Sequence, residues 1–257
     1  MIRGEKLADW CPEKYARFTG QRLRPALDLL RALPNLPNGP VIDLGCGSGA
    51  VGPALAALGR EITGIDNSPA MLEKAATTGA YAHISLSDIS IWSPETPPAL
   101  IFSNAALHWL PDHEILLPRL AAMLAPAGTL AVQLPAMNDA PSHATWLTLA
   151  RRMFGFAPDA TPGILGPAQY HALLSPLGQL HLWQTEYFQI LPESESGHPV
   201  RNFTESTFAK PVLDALAPDK RAALITAYDA AMETHYPRLQ DGSVVFPFRR
   251  LFFTLSR

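Results

Sequence analysis

Between Pro40 and Pro135 the chain alternates short strand-like runs with helix-like ones. The strand-like runs are "PVIDLG", "REITGID", "AHISLSD", "PALIFSN" and "GTLAVQLP"; between them lie "AVGPALAALG", "SPAMLEKAAT" and "HEILLPRLAAMLAP". This rhythm leaves few folds open. Strands separated by helices lie parallel in one sheet, and right-handed crossovers put helices on both faces. Ser68 followed by Pro69 supplies a side-chain cap and a proline at the first helical position. Gly128 stops the last helical run before the next strand. Ligands of such sheets bind beyond the carboxyl ends of the strands. Asp43, Asp66, Asp88 and Asn104 each close a strand-like run, so they are predicted on one edge.

"LPNLPNGP" links an amphipathic N-terminal segment to the first strand. After Pro135 the rhythm breaks: residues 136–178 read as loop and helix, and "QLHLWQTEYFQIL" returns as a strand. Residues 193–240 are helical and polar-rimmed, and "VVFPFRRLFFTLSR" forms a terminal strand in which Pro247 predicts a bulge or an edge position. The expected class is α/β, a Rossmann-like, mostly parallel seven-stranded sheet with helices on both faces; likeness to other folds of this class, rather than the pattern, implies that the insertion is a helical lid. Five blocks follow: 1–39 (helical), 40–135 (core), 136–192 (helical insertion and sixth strand), 193–240 (lid) and 241–257 (terminal strand).

Composition narrows the function classes. With 47% apolar and 17% charged residues, the 257-residue chain reads as one large globular domain or a domain with an insertion. A net charge of −3 gives no global pull toward nucleic acid or an anionic membrane, and neither is expected as a partner. No apolar run reaches the ~18 residues of a membrane span, and "MIRGEKLADWCPEKY" lacks a signal-peptide pattern. Cys11 and Cys46 have no metal-ligand spacing; no metal is expected, and a reducing cytoplasm fits best.

The first turn, "VIDLGCGSGAVG", decides the cofactor. A dinucleotide fingerprint is G-x-G-x-x-G, and Ala50 at its last position is tolerated in some such folds. The glycines alone therefore do not choose. Asp43 does: a carboxylate beside the turn repels pyrophosphate and welcomes a cation. S-adenosylmethionine has a cationic α-amino group and no phosphate. Gly45, Cys46 and Gly47 are expected to lie against its methionine part, since glycine lets a backbone come close. Asp66, with Asn67 beside it, is placed to accept the ribose hydroxyls, and Asp88 the adenine amino group. Met71 and Ile89 would pad the adenine, and Asn104 completes the edge. The competing account is that each acid only caps a helix or solvates a loop. For one Asp that account is the commoner; for three at strand ends beside a glycine turn it is the poorer.

"VIDLGCGSG", "TGIDNSPAML" and "SDIS" resemble the cofactor motifs of class I S-adenosylmethionine-dependent methyltransferases. "ADWCPEKYARFTGQRLRPALDLL", "IFSNAALHWLPDH", "GTLAVQLP" and "FPFRRLFF" resemble one family among them, the trans-aconitate 2-methyltransferases, which methylate a carboxylate of trans-aconitate. His108 stands where the best-known members have glutamine, and "QLPAMN" departs after the fifth strand. The resemblance implies that residues 1–39 close over the cofactor, with Tyr15 at its methionine end. Packing of Tyr15 against Phe18 is the alternative. The resemblance also supports Trp109, just past the fourth strand, as a substrate donor; a Trp packed under the lid is the alternative.

A carboxylate acceptor is ionised at neutral pH and needs no general base. Its transfer site needs alignment, desolvation and donors. The indole of Trp109 is such a donor, and His108 is read as donor or wall rather than base. Arg24 and Arg250 are the favoured cations for a polycarboxylate, ahead of Arg22, Arg249, Arg201 and Lys210. A charge amid "FPFRRLFF" is costly unless paired, and one of Arg249 and Arg250 must face away from the core. The predicted function is a carboxyl O-methyltransferase forming a methyl ester on a small polycarboxylic acid, trans-aconitate first, in a monomer or weak homodimer. Alternatives are methylation of malonyl groups on an acyl carrier protein or of another small molecule, and a cofactor-binding protein without transfer activity. Asp43 disfavours a nicotinamide dehydrogenase.

Overall fold

Val41–Leu44 forms β1, buried along its whole length, and everything else in the sheet is arranged around it. It pairs in parallel with β2 (Ile62–Asp66), which sets Asp43 opposite Gly64. Beyond β2 lies the edge strand β3 (His83–Leu86). On its other side β1 pairs in parallel with β4 (Leu100–Asn104), which sets Asp43 opposite Phe102. β5 (Thr129–Pro135) follows, with Asn104 opposite Gln133. The computed structural model describes residues 19–156 and 163–257, with side chains from Leu23 onward. With β6 (Gln179–Leu191) and β7 (Val244–Ser256), the seven strands run in the order β3-β2-β1-β4-β5-β7-β6. The seven-stranded, mostly parallel α/β sheet predicted from the rhythm is therefore present.

β1, β4 and β5 are buried on both faces, as continuous apolar runs in a parallel sheet should be, whereas β3 is largely exposed. The helices are α1 (Thr19–Arg31), α2 (Gly52–Ala56), α3 (Pro69–Thr77) and α4 (His113–Ala122) in this stretch. α3 starts as its sequence dictates: the Ser68 hydroxyl accepts the Met71 N–H at 3.4 Å and Pro69 follows. Strand order reverses between β1 and β4. The loops after these two strands thus flank the crevice where such sheets take ligands.

The chain divides into two compact units. The first comprises Met1–Leu134, Gly163–Trp183 and Leu251–Arg257; the second comprises Pro135–Pro162 and Gln184–Arg250. The blocks 136–192 and 193–240 do not coincide with these cuts. Residues 163–183 join the first unit through aromatic packing: Trp183 lies flat against Phe252 at 5.0 Å, and Tyr170 tilts against Phe253 at 5.7 Å. α5 (Pro141–Phe154) belongs to the second unit, α6 (Pro167–Leu174) to the first, and α7 (Pro199–Glu205), α8 (Lys210–Asp214) and α9 (Pro218–His235) to the second. In the second unit Trp146 stacks on Tyr228 at 3.7 Å, and its indole donates to the Thr204 hydroxyl at 3.0 Å. The Tyr228 hydroxyl donates to the Ser142 carbonyl at 2.7 Å, so this aromatic core carries satisfied polar groups.

β7 runs antiparallel to β5. The Ala136 N–H donates to the Arg249 carbonyl at one end, and the Arg257 N–H to the Gly128 carbonyl at the other. This corrects one half of the reading of Pro247, the edge position. β7 lies between β5 and β6 rather than at the sheet edge. Pro247 falls beyond the Ala136–Arg249 bond, past the end of β5, where its missing N–H costs that pairing nothing.

Candidate cofactor and acceptor site

The glycine turn after β1 is fixed from below: the Gly45 and Cys46 N–H groups both donate to the Ile65 carbonyl, at 2.8 and 2.9 Å. Its glycines do different things. A Cβ on Gly45 would stand 2.2 Å from the Ala106 Cβ, so the loop after β4 presses on the turn there. A Cβ on Gly52 would stand 2.8 Å from the Tyr81 ring, and one on Gly49 3.0 Å from it. Gly47 alone of these, at φ +53°, would meet nothing within 4 Å. Close approach of a ligand to the backbone therefore concerns Gly47, and the other glycines make room for the protein's own atoms, at Gly49 the Ala75 backbone as well as Tyr81.

The Gly47 N–H donates to Asp66 Oδ2 at 2.9 Å, and the Ser68 N–H to Asp66 Oδ1 at 2.9 Å. Asp66 thereby ties the turn to the start of α3. Asp43 is 2% exposed and accepts the Tyr81 hydroxyl on Oδ2 at 2.7 Å. Burial raises its pKa, the Tyr81 hydrogen bond opposes that, and nearby Asp66 adds to it; the outcome is about 7. Cys46 packs with Leu72, Ala75, Tyr81 and Ile84, and burial followed by the two carboxylates pushes its thiol far up. Its side chain is core, and only its backbone belongs to the turn.

Along the rest of the edge the predicted residues separate. Asp88 is exposed and accepts the Ser90 N–H at 2.8 Å, the capping role weighed against it. Ile89 reaches within 3.5 Å of the Cβ position of Gly45, Met71 is buried in the core, and Asn67 is exposed. The Asn104 Oδ1 is buried and has no hydrogen-bond partner among the described residues. A buried acceptor left unmade costs roughly 1–3 kcal/mol, so Asn104 has acceptor capacity to offer a donor. Asp43, Asp66 and Asn104 thus supply acceptors at the ends of β1, β2 and β4. They suit the ammonium and hydroxyl groups of S-adenosylmethionine. Tyr15 lies outside the described residues.

After β4 comes a 3-10 turn, Leu107–Trp109, which carries the two residues predicted to face the acceptor. His108 is buried, its ring tilted against Trp109 at 4.5 Å, while Trp109 is 47% exposed and so is no core anchor. His113, the last residue of the quoted "IFSNAALHWLPDH" but given no role there, ties this turn down. Its Nε2 lies 2.9 Å from the Leu107 carbonyl and must donate, which leaves Nδ1 to accept the Tyr170 hydroxyl at 2.6 Å. The Leu165 N–H donates to that same phenol at 3.2 Å, and burial lowers the His113 pKa and keeps the ring neutral. Arg119 on α4 was also missed: its guanidinium donates to the Ile89 and Trp92 carbonyls, both at 2.6 Å, and clamps the segment after β3. No spacing rule marks a residue whose partners are distant backbone carbonyls.

The arginines divide sharply. Arg24 is exposed on α1 with Asp28 at 4.0 Å, the surface alternative. Arg250, in the second unit, is 5% exposed and sits 4.3 Å over the Phe248 ring. Burial first, then the Arg250 charge, pushes the pKa of His143 down to about 3. Arg249 pairs with Asp139, the outward-facing role one of the two had to take.

Residues 15–174 match a family model described as a methyltransferase domain. The trans-aconitate 2-methyltransferase of Methylobacterium radiotolerans is 38% identical over 256 residues, covering 96% of this chain and 97% of that protein. That of Methylobacterium nodulans is 38% identical over 264 residues, covering 98% and 99%. Among solved structures, the YcgJ protein of Bacillus subtilis superposes with a TM-score of 0.59 at 17% identity, covering 91% of this chain and 98% of that one, which is a likeness of fold.

Proposed function

The chain belongs to the trans-aconitate 2-methyltransferase family, and from that membership we propose that it forms a methyl ester on one carboxylate of trans-aconitate. It is an S-adenosylmethionine-dependent methyltransferase. What carries the substrate reading is that likeness to the named relatives runs over nearly the whole chain rather than stopping at the cofactor motifs.

S-adenosylmethionine, when bound, would supply an electrophilic methyl group on a sulfonium, with the sulfur as the leaving group that keeps the bonding electron pair. No proton moves, so the chain needs no general base. Asp43 holds the α-ammonium group. Asp66 accepts ribose hydroxyls on the lone pairs that its two backbone donors leave over. Asn104 accepts a further donor through Oδ1. Trp109 offers its indole N–H to the acceptor carboxylate, and His108 walls it. Their task is to orient the acceptor oxygen and exclude water.

The test is methyl transfer from labelled S-adenosylmethionine to a panel of polycarboxylic acids, with malonyl acyl carrier protein alongside. A base-labile ester on trans-aconitate is expected. Label on the carrier protein or on another acid, with none on trans-aconitate, would overturn the assignment of substrate.

A further inference from the structure

Tyr81 is half-buried, two residues before β3, and three glycines are shaped around it. Cβ atoms on Gly49 and Gly64 would stand 3.0 Å from its ring, and one on Gly52 2.8 Å from it. These three come from the first turn, the start of α2 and the middle of β2, so the seat is assembled from separate elements. From that seat its hydroxyl ends 2.7 Å from Asp43 Oδ2. At that distance from a carboxylate the phenol donates.

We propose that Tyr81 is a positioning residue of the cofactor site: seated by Gly49, Gly52 and Gly64, it donates to Asp43 and favours the anionic form of that carboxylate, the form that the α-ammonium group of the cofactor binds. The proposal rests on the reading of Asp43 as the partner of that group. A buried carboxylate next to a second acid is pressed toward its neutral form, and a neutral Asp43 gives a cation nothing to bind. Among the described residues around Asp43, the phenol is the group that works the other way. Asp66, at the end of β2, opposes ionisation. Cys46 in the turn keeps its proton, since burial and both carboxylates push its thiol up. Gly64 on β2 and Phe102 on β4, the register partners of Asp43, carry no charge, and neither do Leu72 and Ala75 of α3. The phenol cannot release its own proton instead: burial and Asp43 raise its pKa far above the ordinary tyrosine value.

A tyrosine that only fills space would be replaced by phenylalanine without consequence for titration. The experiment is therefore calorimetric binding of S-adenosylhomocysteine, which carries the same α-amino group, to wild type, Tyr81→Phe and Asp43→Asn from about pH 5 to about pH 9. In wild type, affinity should fall on the acid side as Asp43 takes a proton, and on the alkaline side as the ligand amine loses one. Tyr81→Phe keeps the ring in its seat and removes the donor. Its acid limb should move up by about one pH unit, with about tenfold weaker binding at pH 6 and an unmoved alkaline limb. An acid limb in Tyr81→Phe that coincides with wild type, or a weakening equal at every pH, would overturn the proposal. Asp43→Asn separates the two levels. It should bind weakly with no acid limb. If it keeps the wild-type acid limb, Asp43 is not the ammonium partner, and the reading beneath the proposal falls with it.

Discussion

Asp43 in the first unit and Arg201 in the second are both charged groups taken out of water, at 2% and 9% exposure, and the protein treats them oppositely. Arg201 is surrounded. Its guanidinium bonds Asp229 at 3.0 Å, Glu205 at 2.9 Å and the Ser196 carbonyl at 2.7 Å. Asp43 has one phenol, a second carboxylate nearby and a pKa raised to about 7. A buried charge whose partners are complete holds a fold together. A buried charge opposed by its surroundings costs stability, and a site retains it for what a ligand will bring.

The comparison breaks most visibly at Asp229. Asp229→Ala leaves the Arg201 charge buried with Glu205 as its remaining carboxylate partner among those hydrogen-bonded to it. Removing one partner of a buried pair costs about 3 kcal/mol. Denaturant unfolding should show a loss of that order, and a loss under about 1 kcal/mol would mean that Arg201 is not held by its pairing.

Asp43→Asn should move stability the other way. The folded-state pKa of Asp43 lies above its ordinary 3.8, so the folded protein binds this proton more tightly than the unfolded chain. Its contribution to stability is therefore lost as pH rises from about 4 to about 7, and stays lost above that. The substituted amide carries no charge to bury and can still accept the Tyr81 hydroxyl. The variant should match wild type near pH 4 and exceed it at pH 8 by roughly 1–3 kcal/mol, while binding cofactor poorly. Thermal unfolding at the two pH values checks it. A variant less stable than wild type at pH 8 would show that Asp43 is a structural group like Arg201.

How much of this was legible in the chain follows from the range of each interaction. Strand–helix alternation, the Ser68–Pro69 start and the strand-end placement of Asp43, Asp66 and Asn104 are local patterns, and the sheet follows them. The partners of those residues are not local. Tyr81 lies 38 positions from Asp43, and His113 lies 57 from Tyr170, with nothing in the intervening chain to join them. The glycines could not choose a cofactor because glycine spacing records only that something comes close; at Gly52 that something is Tyr81, and at Gly49 it is the Ala75 backbone together with Tyr81. Asp88 was expected at a strand end like Asp66, yet it lies past β3, which stops at Leu86, and its carboxylate caps its own loop, a choice made within three residues. Pro247 misled because a strand interior to the sheet can still outrun one of its neighbours.

The smallest effect tests whether spacing or burial decides. Arg201–Glu205 and Lys210–Asp214 are both cation–acid pairs four residues apart, and sequence gives no reason to rank them. The side chains of Lys210 and Asp214 are 43% and 55% exposed, against 11% for Arg201. In water the attraction is screened, and holding two long side chains together cancels most of it, so such pairs contribute about 0.5 kcal/mol or less. Lys210→Ala should change unfolding free energy by no more than that, and added salt should erase the difference. Arg201 is charged in the same sense and similarly spaced from its acid, so a large, salt-insensitive loss at Lys210 would show that the sequence interval, rather than withdrawal from water, sets the strength of these pairs.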